Sequence, residues 1–235
     1  QEKDHIDFFD YAREFGIDYA TSAFTKQDID FCIDQKVAFL KIASCDITNL
    51  DLIEYAISKD YPLLISLGLA DLGEIEQVVN LIPEKCRPNI TLLHCVSLYP
   101  PKDEIVNLKF MHTLTSAFGL NVGYSDHTLG VSISLAAVAL GAKVIEKHFT
   151  LDKEMPGWDH KVSANPEEMA VISRETKRIV DSLGNGIKTI SEEEFEKRKK
   201  FYEKRLDFFA AGAYNTKHTI CLIYSIREEV LLYEH

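Results

Sequence analysis

The chain is short of positive charge. Its 235 residues carry 26 Lys and Arg against 37 Asp and Glu, a formal net charge of −11. A protein that works mainly on nucleic acid needs a basic surface to displace counterions from phosphates, so no nucleic-acid partner is expected. A small anionic substrate stays open, because a few local cations suffice inside a pocket. Long apolar runs are missing as well. The most apolar helix-like stretch, 131–142, is too short and too interrupted by serine to span a bilayer, so no membrane partner is expected. The opening Gln1-Glu-Lys-Asp-His has no apolar signal segment and no initiator Met, which suggests a start at a truncation or a domain boundary. Cysteines are few, odd in number and scattered: Cys32, Cys45, Cys86, Cys95 and Cys221. No two have metal-site spacing, and they read as reduced thiols of a cytoplasmic protein.

What is present suits one sizeable core, since 46% of the residues are hydrophobic. Short apolar runs alternate with amphipathic stretches along most of the length. The strand-like runs are 17–21, 37–43, 62–67, 90–95, 121–124 and 143–149. Helical patterns fall near 26–35, 49–59, 72–82, 104–117 and 130–141, with another before the first strand and a longer one after the last. Asp71 with Glu74 reads as a capping box. Asn165-Pro166-Glu167 reads as an N-cap, a proline at the first helical position and an acidic first turn.

Six βα units about 25 residues apart predict a parallel sheet wrapped by helices. An open doubly wound sheet is the plainer alternative. The polar residues favour a (β/α)8 barrel, because nearly every strand-like run ends in groups able to do chemistry. They are Ser22, Lys41 with Ser44, Ser66, Ser97 with Tyr99, Ser125 with His127, and Glu146 with His148. Barrel enzymes draw their sites from the C-terminal ends of many strands around one axis, whereas open sheets use the loops at a switch point. Six strands leave the barrel two short, and a missing amino terminus would supply them. Residues 1–190 are expected to form this domain, with strands equivalent to the third to eighth. Residues 191–235 are expected to be a charged helix and a divergent tail, 206–235, compatible with two short strands.

Alternate side chains of a strand share a face, so Ser125 pairs with His127 and Glu146 with His148. If that face is inward, two imidazoles from neighbouring strands meet at the barrel mouth with a carboxylate one layer below. Neutral imidazole is a common ligand for Mn, Fe or Zn. Either histidine could instead merely satisfy a hydrogen bond at a strand end. Lys41 interrupts an apolar strand and must snorkel to the rim or meet an anion. With Ser44, Ser66, Ser97 and Ser125 it could cradle phosphate or carboxylate; a Schiff-base lysine and an outward, solvated lysine are the competing readings. Asp159 could accept hydrogen bonds from sugar hydroxyls and Trp158 could cover a sugar face, or the pair could belong to an ordinary turn. His94, out of phase with Ser97 and Tyr99, reads as a packed histidine.

Lys41-Ile-Ala-Ser44 followed by Asp46-Ile-Thr-Asn49, His94-Cys95 with Tyr99-Pro100, Tyr124-Ser-Asp-His-Thr-Leu-Gly130, Ala139-Leu-Gly-Ala-Lys143 and Glu146-Lys-His-Phe-Thr-Leu151 together resemble the N-acetylneuraminate (sialic acid) synthases. The likeness runs in order from about Phe8 to Gly184 and is most specific between Gly123 and Leu151. It implies a transferase of carbohydrate biosynthesis that condenses phosphoenolpyruvate with the open-chain aldehyde of N-acetylmannosamine or a related N-acylated amino sugar. It implies His127 and His148 as ligands of a divalent metal, usually Mn2+, and Lys41 with Glu146 as catalytic groups. Ser22, Lys41, Ser44, Ser66, Ser97 and Ser125 fall where the family holds phosphoenolpyruvate, and Tyr99 and Asp159 where it contacts the sugar. A homodimer is compatible with the resemblance.

The departures are specific. The family's opening strands, with a Glu and a Gly-x-Asn-His-like run and then a Lys, have no counterpart here. Leu67 stands where threonine is usual and Cys45 where glycine is usual. The tail does not resemble the family's small antifreeze-like domain. Synthases of legionaminic or pseudaminic acid are the close alternatives, and a silent barrel acting as a binding partner is the alternative from another class.

Overall fold

A computed structural model describes residues 2–210, 221–224 and 230–233. The chain divides into two compact units, Gln1–Gly184 and Asn185–His235. In the first, helix α1 (Glu2–Glu14) precedes a regular alternation. Strand β1 (Leu40–Ile42) lies between α2 (Lys26–Asp34) and α3 (Leu50–Ser58), and β2 (Leu63–Ser66) is followed by α4 (Leu72–Asn80). Strand β3 (Ile90–Cys95) leads to α5 (Asp103–Val106) and α6 (Phe110–Phe118). Strand β4 (Asn121–Asp126) leads to α7 (Ser132–Ala139), and β5 (Ile145–Lys147) to α8 (Pro166–Leu183).

All four strand pairings are parallel, and the strand order in space is the order in sequence, β1-β2-β3-β4-β5. That order decides the architecture. A doubly wound sheet reverses direction at a switch point, whereas a barrel lays each new strand beside the last. The unit is an incomplete (β/α)8 barrel. Leu40, Ile42, Leu63, Ile65, Ile90 and Leu92 are all buried in one cluster with Ile53, Ile75, Val78 and Leu114 of the helices. Each such side chain taken from water is worth about 1.5–3 kcal/mol, so the sheet–helix interface is the main source of cohesion.

Local signals end the helices where the sequence says they should. Asp71 and Glu74 form the capping box of α4, and Asn165 with Glu168 forms that of α8, with Pro166 at its start. A third box, Thr25 with Asp28, opens α2 and had not been anticipated. The expected helix over 104–117 divides into α5 and α6. Asn107 between them is left-handed (φ 48°), a conformation asparagine tolerates. The Val106 carbonyl is taken by His94 Nε2 at 2.8 Å rather than by a helical amide.

The first expected strand, 17–21, is corrected. Only Ser22 makes a ladder contact, an isolated parallel bridge to Lys41, backed by Ala23 N donating to Lys41 O at 3.0 Å. Ile17 is 63% exposed. A run with a neighbour on one side only, and so little to bury, does not gain enough to stay extended.

In the second unit, α9 (Glu192–Ala210) is highly charged, and β6 (Cys221–Tyr224) pairs antiparallel with β7 (Val230–Tyr233). The rest of the tail read as 206–235 lies outside the described residues beyond Ala210. Among the described residues, no helix is long and apolar enough to cross a membrane, and Cys32, Cys45, Cys86 and Cys95 are free thiols.

Candidate active site

The strands converge at their C-terminal ends on a cavity of about 550 Å³. Ser22, Lys41, Ser44, Ser66, Ser97, Tyr99, Ser125, His127, Glu146 and His148 all line it. The pleat explains most of this: Lys41, Ser66, Ser125 and Glu146 stand on the inward face of their strands, while Leu40, Ile42 and Ile65 face the helices, and Ser44 enters from the 3-10 turn Ser44–Asp46 that follows β1. Asp159 alone of the expected site residues lies off the cavity wall. Its Oδ2 stands 4.0 Å from His148 Nδ1, too far for a hydrogen bond. Trp158 is 97% exposed, in the turn that follows β5.

One side of the cavity gathers a lysine and several hydroxyls. Lys41 is buried, and its ammonium has loose company: Glu146 Oε1 at 3.3 Å and the Ile42 carbonyl at 3.4 Å. Ser125 Oγ donates to Glu146 Oε2 at 2.5 Å, which ties that carboxylate to β4. Ser66 is 3% exposed, and among the described residues its hydroxyl has no hydrogen-bond partner. A buried hydroxyl without a partner costs roughly 1–3 kcal/mol, so an incoming acceptor would be held firmly there. Gly68 sits beneath the same hydroxyls. Its amide donates to Ser44 Oγ at 3.1 Å, and a Cβ on it would fall 2.2 Å from Ser97 Oγ and 2.7 Å from Ser44 Oγ. Glycine here is a condition of the hydroxyl cluster. A glycine just past a strand ending in serine was the available signal, and it is weak by itself.

The other side holds the imidazoles. The His127 and His148 ring centroids are 5.2 Å apart, and the Tyr99 ring lies 4.1 Å from the first and 5.6 Å from the second. His127 Nδ1 is 3.0 Å from the Val96 carbonyl, so Nδ1–H donates to it and Nε2 is the nitrogen left for another partner. Burial, and after it the neighbouring His127, push the His148 pKa below the usual histidine range. Two imidazoles side by side, one oriented by a backbone carbonyl, are a donor set that fits a divalent ion. Among the described residues no group of three His, Cys, Asp or Glu could hold one, so water or substrate would complete the coordination, as in open catalytic sites. Cys95 also reaches this side, its Sγ 3.8 Å from His127 Nδ1 and 3.9 Å from Ser97 Oγ; its inward phase on β3 was the overlooked signal. His94 points the other way, as its phase requires, packed near Phe110 and Tyr124.

Known proteins are similar to this chain both in sequence and in fold. The N,N'-diacetyllegionaminic acid synthase of Campylobacter jejuni is 40% identical over 240 residues, covering 98% of this chain and 72% of its own length. The synthase of the same name from Legionella pneumophila is 42% identical over 197 residues, 82% of this chain and 55% of its own. The crystal structure of N-acetylneuraminic acid (sialic acid) synthetase from Leptospira borgpetersenii, in complex with citrate, superposes with a TM-score of 0.78 at 36% identity. It covers 87% of this chain and 72% of that one. The chain thus spans between about half and three quarters of the proteins it matches. The NeuB family model matches residues 1–188, which hold the whole cavity, and the chain belongs to that family.

Proposed function

We propose that residues 1–190 are the catalytic module of a nonulosonic acid synthase, which joins phosphoenolpyruvate to the aldehyde of an N-acylated amino sugar and releases phosphate. The observation that carries this is the division of one cavity into an anion side, with Lys41 and the unpartnered Ser66 hydroxyl, and an imidazole side. Ser22, Ser44, Ser97 and Ser125 with Lys41 hold the phosphate and carboxylate of phosphoenolpyruvate. His127 and His148 hold a divalent ion, Mn2+ by preference, which when bound supplies a Lewis acid for the aldehyde oxygen. Tyr99, tilted against the His127 ring and edge-on to that of His148, orients the sugar, and Asp159 binds its hydroxyls from beyond the wall.

The enol carbon forms a bond to the aldehyde carbon as the aldehyde C=O electron pair passes to its oxygen, which takes a proton, and the other enol carbon is left cationic. Water adds there and gives up a proton. The resulting hemiketal collapses: its C–O bond to phosphate breaks as phosphate leaves, and its hydroxyl loses a proton to become the keto group. Glu146, between the two sides, is placed to accept the water's proton while Lys41 offsets the charge on the phosphoryl oxygens. The acceptor has a specific second reading. Identity of 40% and 42% to the two legionaminic-type synthases, against 36% to the sialic acid synthetase, favours a diacetylated amino sugar.

The test is phosphate release by the 235-residue chain supplied with phosphoenolpyruvate, Mn2+ and either N-acetylmannosamine or its diacetylated analogue. Release that requires all three components and stops on chelation supports the synthase. A chain that binds both ligands yet releases no phosphate is a binding barrel. Covalent trapping of a carbonyl substrate on Lys41 by borohydride would replace the mechanism with a Schiff-base aldolase.

A further inference from the structure

Behind the imidazoles, on the helix side of the same strand ends, lies a buried ion pair for which the proposed chemistry has no use. Asp126 and Lys147 are register partners across β4 and β5. Lys147 borders the cavity, but its ammonium turns to Asp126 Oδ2 at 2.9 Å and to the Thr128 carbonyl at 2.8 Å. The Asp126 carboxylate receives three more donors. Thr128 N and Oγ1 reach Oδ1 at 2.9 and 2.8 Å, and Ser134 Oγ of α7 reaches Oδ2 at 2.5 Å. The two side chains are 0% and 2% exposed, so neither meets a substrate.

The sequence positions make this pair more than a packing detail. His127 follows Asp126, and His148 follows Lys147. Adjacent side chains of a strand point to opposite faces, so whatever anchors one residue's outer side chain fixes the inward aim of the next. His127 is bracketed, because the residues on both sides of it, Asp126 and Thr128, are bonded to each other and to Lys147. A buried ion pair is costly to desolvate and gives little net stability, but it is directional and permits one register only. An apolar contact in its place would let β4 and β5 slide. We propose that the Asp126–Lys147 pair is a positioning device that fixes the separation of the His127 and His148 imidazoles and so sets the site's affinity for a divalent ion. This rests on the metal-binding role assigned above to the two histidines.

The experiment is a titration of the intact 235-residue chain with Mn2+, read by the electron paramagnetic resonance of the free ion, beside the unfolding midpoint of each variant. Lys147→Met deletes the ammonium and leaves Asp126 its three other donors, so the fold is expected to survive. Mn2+ binding should weaken by about 10–100-fold, the range for groups that orient metal-ligating histidines. Lys153→Met, which removes an ion pair to Glu168 at 2.6 Å beyond β5, should leave Mn2+ affinity unchanged. A folded Lys147→Met variant that binds Mn2+ like the parent overturns the proposal. A parent chain that takes up no Mn2+, or takes it up equally well as His127→Ala, overturns the metal reading and the positioning role with it. If Lys147→Met does not fold, Ser134→Ala decides, since it removes a single hydroxyl donor from Asp126. Weakened Mn2+ binding then supports the proposal, and unchanged binding overturns it.

Discussion

The inner and outer faces of the strand ends both bury charged and polar groups, and the two buried lysine side chains, Lys41 and Lys147, are bonded very differently. Outside, Asp126 accepts four hydrogen bonds of 2.5 to 2.9 Å, and the pair it forms with Lys147 is sealed from water. Inside, Lys41 makes only long contacts, at 3.3 and 3.4 Å, and the Ser66 hydroxyl makes none. On the function proposed above, the outer pair holds position while Lys41 and Ser66 await a ligand, and a buried polar group without a partner costs the fold stability.

The sharpest way to break this comparison is to remove one charge from each face. Asp126→Ala strands the Lys147 ammonium in a dry environment and should lower unfolding stability by about 3–5 kcal/mol in denaturant titration. Lys41→Met, which keeps the apolar stem, should leave the unfolding midpoint unchanged or slightly higher. It should weaken phosphoenolpyruvate binding by about 2–3 kcal/mol in calorimetry, the scale of lost charge-assisted hydrogen bonds. Equal destabilisation by the two changes would erase the distinction between the faces.

Gly68→Ala probes the inner face without touching a charge. The added methyl must displace the Ser97 and Ser44 hydroxyls. Overpacking of this kind costs about 1–3 kcal/mol, expected here mainly as lost anion affinity, because both side chains can swing into the cavity. A fall in melting temperature with full affinity would show the hydroxyl cluster to be structural.

The smallest effect belongs to His94 on the outer face. Burial holds its pKa below the ordinary histidine value, the Val106 carbonyl only partly offsetting this. The unfolded chain therefore binds the proton more readily than the folded one. Stability from this group is complete above the unfolded value near 6.5 and is lost as pH falls from there through the folded pKa. His94→Gln, which can still donate to Val106, should flatten the pH dependence of the unfolding midpoint across that window. An unaltered slope would remove His94 from the account of acid sensitivity.

Much of the site was legible because a strand's pleat is a strict code. Once 121–124 and 143–149 are read as strands, the inward partnership of Ser125 with His127 and of Glu146 with His148 follows from alternation alone. The capping residues Asp71 and Asn165 were equally plain, since a cap needs only its own neighbours in the chain. The run 17–21 misled for the opposite reason. Its composition suits a strand, but strand formation depends on what lies alongside, and Ser22 alone finds a partner in Lys41.

Most of the alternation of strands and helices, the sharing of a strand face by Ser125 with His127 and by Glu146 with His148 and, through its motifs, the family resemblance are written in the chain. These are matters of periodicity and local bonding, which the chain carries residue by residue. Which groups meet is a property of the assembled sheet. That Gly68 makes room for the Ser44 and Ser97 hydroxyls and that Asp126 closes on Lys147 21 residues away depend on the register of neighbouring strands. So does the lack of a partner for the Ser66 hydroxyl. Register is set by packing across the whole sheet, and no window of sequence contains it.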